Sequence, residues 1–198
     1  MERRNYVGGG IVLVTVVASL LAYPELPEKM AIHFSSGGDP NSFVGKPLAV
    51  AAMPVLAVAL LAVFEVLPTL DPLGENFAEF EAYYDLVVVV VVGVLAYVQG
   101  LLLAWNLGYD VPVTRAIVPL LAVVYYVLGV VFENASRNWF VGIRTPWTLS
   151  SEEVWDRTHR RSAILFKLAG VVALSGLVFP QYFEILVIGP LVVAALVP

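Results

Sequence analysis

The side chains with the widest chemical repertoire are few in this chain. There are two histidines and no cysteine among 198 residues. The absence of cysteine removes thiolate catalysis, disulfides and cysteine–zinc centres. His33 lies six residues before Asp39, close enough to meet it across a turn. A metal there would need further ligands, and only Glu25 and Glu28 are nearby. An ordered turn with His33 bonded to Asp39 or to the backbone, or a partner-binding surface, needs nothing more. His159 sits in an arginine- and tryptophan-rich stretch with Arg144. A lone histidine and a lone arginine do not make a catalytic set. No HExxH, GxSxG or phosphate-loop pattern occurs. The residues therefore point to a non-enzymatic protein with no cofactor and no bound metal. A small membrane transporter or membrane enzyme with a polar site near Arg144 and His159 is the alternative.

The setting of these residues follows from composition. The chain is 60% apolar and 14% charged, with a mean hydropathy of +0.85. Soluble domains are roughly 45–50% apolar and about 25% charged. The formal charge of −5 argues against direct nucleic-acid binding. Six apolar stretches are expected to be membrane helices, at 6–23, 48–67, 86–105, 113–132, 162–179 and 183–197. Each is read against the roughly 20 residues that a bilayer span needs. The last is short and carries Gly189-Pro190, so it either spans with a kink or stays partly embedded. The six valines at 87–92 would read as a strand in water. Inside a long apolar segment they read as helix, because lipid leaves no other partner for the backbone. The fold expected is an all-α polytopic bundle. An N-terminal region, 1–105, holds three spans, and a second region, 106–198, holds the other three.

Eight of the eleven basic residues fall on one side if the N terminus is cytoplasmic: Arg3, Arg4, Arg137, Arg144, Arg157, Arg160, Arg161 and Lys167. Lys29, Lys46 and Arg115 fall on the other. The positive-inside rule then puts both termini in the cytoplasm, and the protein is expected in the plasma membrane. Three connections are long enough to carry specificity: an outer loop 24–47, an inner acidic loop 68–85 and an inner Arg/Trp loop 133–161. In the acidic loop, Phe77, Phe80 and Tyr84 line one face of a short helix, with Glu75, Glu79 and Glu81 mostly off it. Two readings stand: an interfacial helix with its aromatics in lipid, or an acidic segment that pairs with the Arg/Trp loop.

In the Arg/Trp loop, Trp139, Trp147 and Trp155 favour the headgroup level. Ser150 with Glu153 has capping-box spacing, and Leu149 with Val154 has hydrophobic-staple spacing, so a helix is expected to open at Ser150. Glu153–Arg157 and Asp156–Arg160 are favourable i, i+4 pairs. Trp155, Thr158, His159, Ser162 and Phe166 form the opposite stripe. This turns His159 toward the bundle or the loop, as a hydrogen-bonded tie or as a partner-binding or pH-sensing group. Arg144 is either a structural arginine on tryptophan or carbonyls or part of a functional surface. Glu65 and Lys167 fall at similar depth in the second and fifth spans. They either pair or snorkel separately to the interface.

The block Gly142-Ile-Arg144-Thr145-Pro146-Trp147-Thr-Leu, followed by Ser-Glu-Glu-Val-Trp155 and Thr158-His159, resembles the signature of the SdpI family. These are multispan membrane proteins named for the immunity protein against a Bacillus sporulation-delay toxin. The outer loop resembles an uncharacterised N-terminal domain often found before that block. The resemblance rests on Pro27, His33-Phe34, Gly38-Asp39-Pro40 and Lys46. Here the turn reads Gly-Asp-Pro-Asn, where that domain has Gly-x-Pro-Asp. The resemblance implies protection against an antimicrobial peptide or protein toxin, and sequestration of a cognate transcriptional repressor at the inner face. The partners expected are the bilayer, a peptide toxin outside and a repressor inside.

Overall fold

The computed structural model describes residues 2–73 and 77–196, with side chains from Arg4 to Leu73 and from Glu79 to Leu196. The expected roles of Arg3, Glu75 and the Phe77 side chain lie outside the described residues. The chain is an all-α membrane helical bundle with one small β-hairpin. Helix α1 covers Glu2–Ala22, α2 Lys46–Val66, α3 Phe77–Asn106 and α4 Val113–Asn134. These four are long and apolar enough to cross a membrane. A short α5, Pro146–Ser150, precedes α6, Glu152–Ala173, and α7 covers Gly189–Leu196.

Six spanning stretches were expected and all six are helical, but the last two differ in kind. α6 carries exposed charges on one face of its first ten residues, opposite buried Trp155 and His159, before its apolar half, which runs on through the 3-10 turn Leu174–Leu177. The final stretch opens as a π-turn, Glu184–Ile188, ahead of Pro190. Proline lacks an N–H, and a wide turn just before it absorbs the missing bond. The apolar helix there, Glu184–Leu196, is shorter than the roughly 20 residues that a lone span needs. The expected acidic-loop helix and the third span are one element. α3 runs 30 residues without a break, so Asp85 lies inside it.

The molecule forms two compact units: Met1–Val63 with Val88–Ile117, and Phe64–Val87 with Val118–Pro198. The expected division after residue 105 therefore falls inside the first unit.

In the first unit the 24–47 connection is not a loop. β1, Lys29–Phe34, pairs antiparallel with β2, Pro40–Gly45, from Lys29↔Gly45 to Phe34↔Pro40, with irregular register around His33. A tight turn closes it. The Ser35 N–H donates to the Asp39 carbonyl at 2.8 Å, and Gly38 takes φ +89°, which glycine accepts freely. Met30 is fully buried and sits on Leu26, Ala49, Val50 and Leu103.

In the second unit, α4 and α6 approach through glycine. A Cβ on Gly129 would lie 2.7 Å from the Ala163 carbonyl oxygen, and one on Gly170 would lie 2.7 Å from that of Ala122. Lipid supplies no hydrophobic drive between helices, so small residues that admit close van der Waals packing hold such pairs. The core around this crossing includes Val118, Tyr125, Phe132 and Phe166.

A candidate functional site in the 135–162 connection

Trp155, on the second turn of α6, anchors the connection. Its indole N–H donates to the Ala135 carbonyl at 2.7 Å in a buried setting. One turn on, His159 stacks on the same ring at 3.9 Å between centroids and 19° between planes. Phe132 of α4 meets the imidazole edge-on. Both ring nitrogens are engaged. Nδ1 faces the Trp155 carbonyl at 2.9 Å, and Nε2 faces the Ile143 amide at 3.0 Å. A carbonyl only accepts and an amide N–H only donates, so Nδ1 carries the proton and Nε2 accepts. His159 is thus held neutral. Burial pushes its pKa below the ordinary histidine value, against smaller opposing effects from the Trp155 carbonyl and Asp156.

The segment over this ring is built to lie close. Gly142 has φ +123°, and a Cβ there would collide with His159 Nε2 and come within 3.0 Å of Trp155. Buried Asn138 organises the turn before it. Its oxygen accepts from the Phe140 and Val141 amides at 2.8 and 2.6 Å, while its nitrogen donates to the Ser136 and Val141 carbonyls. Arg144 donates to the Trp139 carbonyl and closes the same turn from its far side. Pro146 follows at the start of α5. There Thr145 and Thr148 form a reciprocal capping box, and the Thr148 hydroxyl also donates to the Ile143 carbonyl at 2.8 Å. Arg137 donates to the Leu149 carbonyl at 2.8 Å.

The helix start differs from the expectation by one residue. Ser151, not Ser150, caps α6, accepting from the Val154 amide, and Ser150 ends α5 instead. The Ser150–Glu153 box and the Leu149–Val154 staple therefore fall out of register, and the capping box belongs to Thr145 and Thr148. The Glu153–Arg157 pair forms, fully on the surface, at 2.5 Å. Thr158 contributes its backbone carbonyl, which accepts from Ser162 at 2.8 Å.

The acidic connection is tied to this block through polar contacts. The Trp139 amide donates to Asp71 at 3.1 Å, and the Ser136 hydroxyl donates to Glu79 at 2.8 Å. Phe80 and Tyr84 are buried in protein, and the Tyr84 hydroxyl donates to the Phe64 carbonyl at 2.7 Å. This displaces the reading in which these aromatics dip into lipid. Lys167 pairs with Glu133 of α4 at 2.5 Å. Gly129, four residues before Glu133, is what brings α4 that close.

In the hairpin, His33 bonds to Asn41 at 2.6 Å rather than to Asp39, whose carbonyl oxygen closes the turn. Among the described residues no group of three or more potential ligands could hold a metal. Lys46 is buried at the start of α2, paired with Glu28 at 3.0 Å and lying over the Tyr23 ring. Phe34 meets Trp105 edge-on. Pro27 is exposed just past Leu26, which packs under the hairpin, and Pro40 opens β2. The sequence reading missed Asn106. Its side chain accepts from the Ala31 amide at 2.8 Å and donates to the Ala31 and Leu102 carbonyls at 3.0 and 2.8 Å. It occupies the edge of β1 as a neighbouring strand would.

The arrangement presents surface rather than a free imidazole. Both His159 nitrogens are spent internally. Exposed Trp147, Arg144 and the charged face of α6 are what the block offers to a partner. These features define a multispan helical membrane protein with an ordered connection locked by tryptophan and histidine. Comparison with known proteins agrees. Residues 134–198 match the SdpI/YfhL protein family, and residues 10–58 match a domain of unknown function, DUF1648. The chain is 27% identical over 195 residues to the immunity protein SdpI of Bacillus subtilis strain 168, covering 98% of this chain and 91% of that protein. No solved structure matches. The chain is a multispan helical membrane protein whose C-terminal third is similar to the SdpI/YfhL family.

Proposed function

We propose that this chain is a non-enzymatic immunity protein of the plasma membrane, protecting the bilayer against a peptide toxin that reaches it from outside. The observation that carries this is the likeness to an immunity protein over nearly the whole length of both chains. It is joined to a signature block in which Gly142, Thr145, Trp155 and His159 hold the connection in place. In this reading both termini are cytoplasmic. The hairpin carrying His33, Asp39 and Lys46 faces the toxin. The 135–162 connection faces the cytoplasm, where Arg144, Trp147 and the charged face of α6 offer a surface for a repressor protein. α6 joins that surface to the bundle. A toxin-dependent change in repressor affinity then requires two bundle states with different affinity for toxin.

The test is survival of cells exposed to sporulation-delay toxin while they express the wild type, Arg144→Ala or Trp147→Ala. Wild type should restore growth. If repressor binding is a separate activity at the cytoplasmic face, Trp147→Ala should keep protection and lose repressor recruitment to the membrane. Killing undiminished by well-expressed wild type contradicts the immunity reading.

A further inference from the structure

A groove of about 480 Å³ runs between α1 and α3 in the first unit, lined by Gly10, Thr15 and Ala18 on one side and by Ala96, Gln99 and Gly100 on the other. Its glycines are not there for close helix packing. A Cβ on Gly8 would touch Leu61 at 2.9 Å, whereas one on Gly10 or Gly100 would meet nothing within 4 Å. The space is open where small residues usually mark a packed helix crossing. One polar side chain on this wall is incompletely satisfied. Gln99 is fully buried. Its amide nitrogen makes two long bonds, to Ser19 at 3.2 Å and the Val50 carbonyl at 3.4 Å, and its oxygen has no partner among the described residues. A carbonyl left without a donor in an apolar setting is costly, and a lipid tail brings no donor. Leu103 lines the groove and also packs in the cluster beneath the hairpin, so the groove continues to the hairpin's base.

We propose that this groove is the docking site for an apolar helical peptide carrying a hydroxyl or amide donor in its middle. The peptide enters beside the hairpin, and its donor complements the partial negative charge of Gln99. The proposal rests on the immunity reading only for the identity of the natural peptide.

The test uses the full chain in vesicles of phosphatidylcholine and phosphatidylglycerol. The chain has no cysteine, so Leu21→Cys, on an exposed position outside the groove, takes a single fluorophore. The probe is a synthetic leucine–alanine helix with one central serine and a quencher, compared with the same helix bearing alanine in that place. Saturable quenching is expected, about threefold tighter for the serine helix, which is what a typical ~0.6 kcal/mol hydrogen bond between membrane helices supplies. Gly10→Leu and Gly100→Leu fill open space and favour helix, so both should fold and melt as wild type does. Each should weaken binding about tenfold or more. Undiminished binding by both filled variants overturns the proposal. So does non-saturable quenching, the sign of lipid occupancy, or self-association of labelled chains that the filled variants abolish. Toxin-exposed cells separate the two ideas. Protection by wild type and equally by Gly100→Leu removes the groove and leaves immunity. No protection by wild type, with serine-dependent peptide binding intact, removes immunity and leaves the groove.

Discussion

The Nε2 of His159 accepts the backbone N–H of Ile143 at 3.0 Å, so a histidine on α6 holds down the 135–149 segment by its one available lone pair. Its other nitrogen is fixed by the Trp155 carbonyl one turn back. The bond fails if the ring takes a second proton, because an imidazolium has no acceptor. Stability should therefore fall with pH. The folded-state pKa is lowered, so the contribution is complete above the unfolded value of about 6.5 and is lost as pH falls through the range below it. Melting temperatures at pH 7.5 and pH 5 should differ more for wild type than for His159→Gln.

Gly142 is the residue that lets the segment pass over that ring. Gly142→Ala faces both a positive φ and a collision with His159. A loss of about 2 kcal/mol or more is expected. Limited proteolysis should show new cleavage between residues 139 and 149 before global unfolding.

Trp155→Phe keeps most of the ring and removes the indole N–H. The Ala135 carbonyl is then left in a buried setting without its donor, at a cost of about 1–3 kcal/mol. Thermal denaturation in detergent measures it. A neutral result would mean that water reaches that carbonyl.

Lys167 and Glu133 are both partly exposed. Pairs of this kind contribute at most about 1 kcal/mol. Glu133→Gln should shift stability within that limit, whereas a pair buried in the bilayer would cost about 3–5 kcal/mol to break. The same melting assay distinguishes them.

Asn106→Ala removes three hydrogen bonds to Ala31 and Leu102. Hydrogen exchange at the Ala31 amide should speed by tenfold or more, with little change in the membrane helices.

The parts of this fold legible in the sequence were those written in local pattern. The apolar runs gave the first, second and fourth helices within a few residues, and Trp155 with His159 was placed on an inward stripe. Adjacent serines at 150 and 151 shifted the cap by one, since either satisfies the local rule. The hairpin went unread because its strands are six residues each, lack a clean apolar/polar alternation and are flanked by prolines. They are held by Asn106, distant in sequence. Asn138 and Asn106 share this character. Each is an amide whose bonds go to backbone groups that no periodicity announces. Lys167 pairs with Glu133 because the α4–α6 crossing at Gly129 brings that carboxylate near, and helix crossings are not local information.

The proposed role is to shield a bilayer from a peptide toxin. Dye-loaded vesicles reconstituted with purified protein and exposed to sporulation-delay toxin test it without any cellular machinery. The account predicts markedly slower dye release than from protein-free vesicles of the same lipid. Equal release from both, with the protein shown to be folded and inserted, would contradict it.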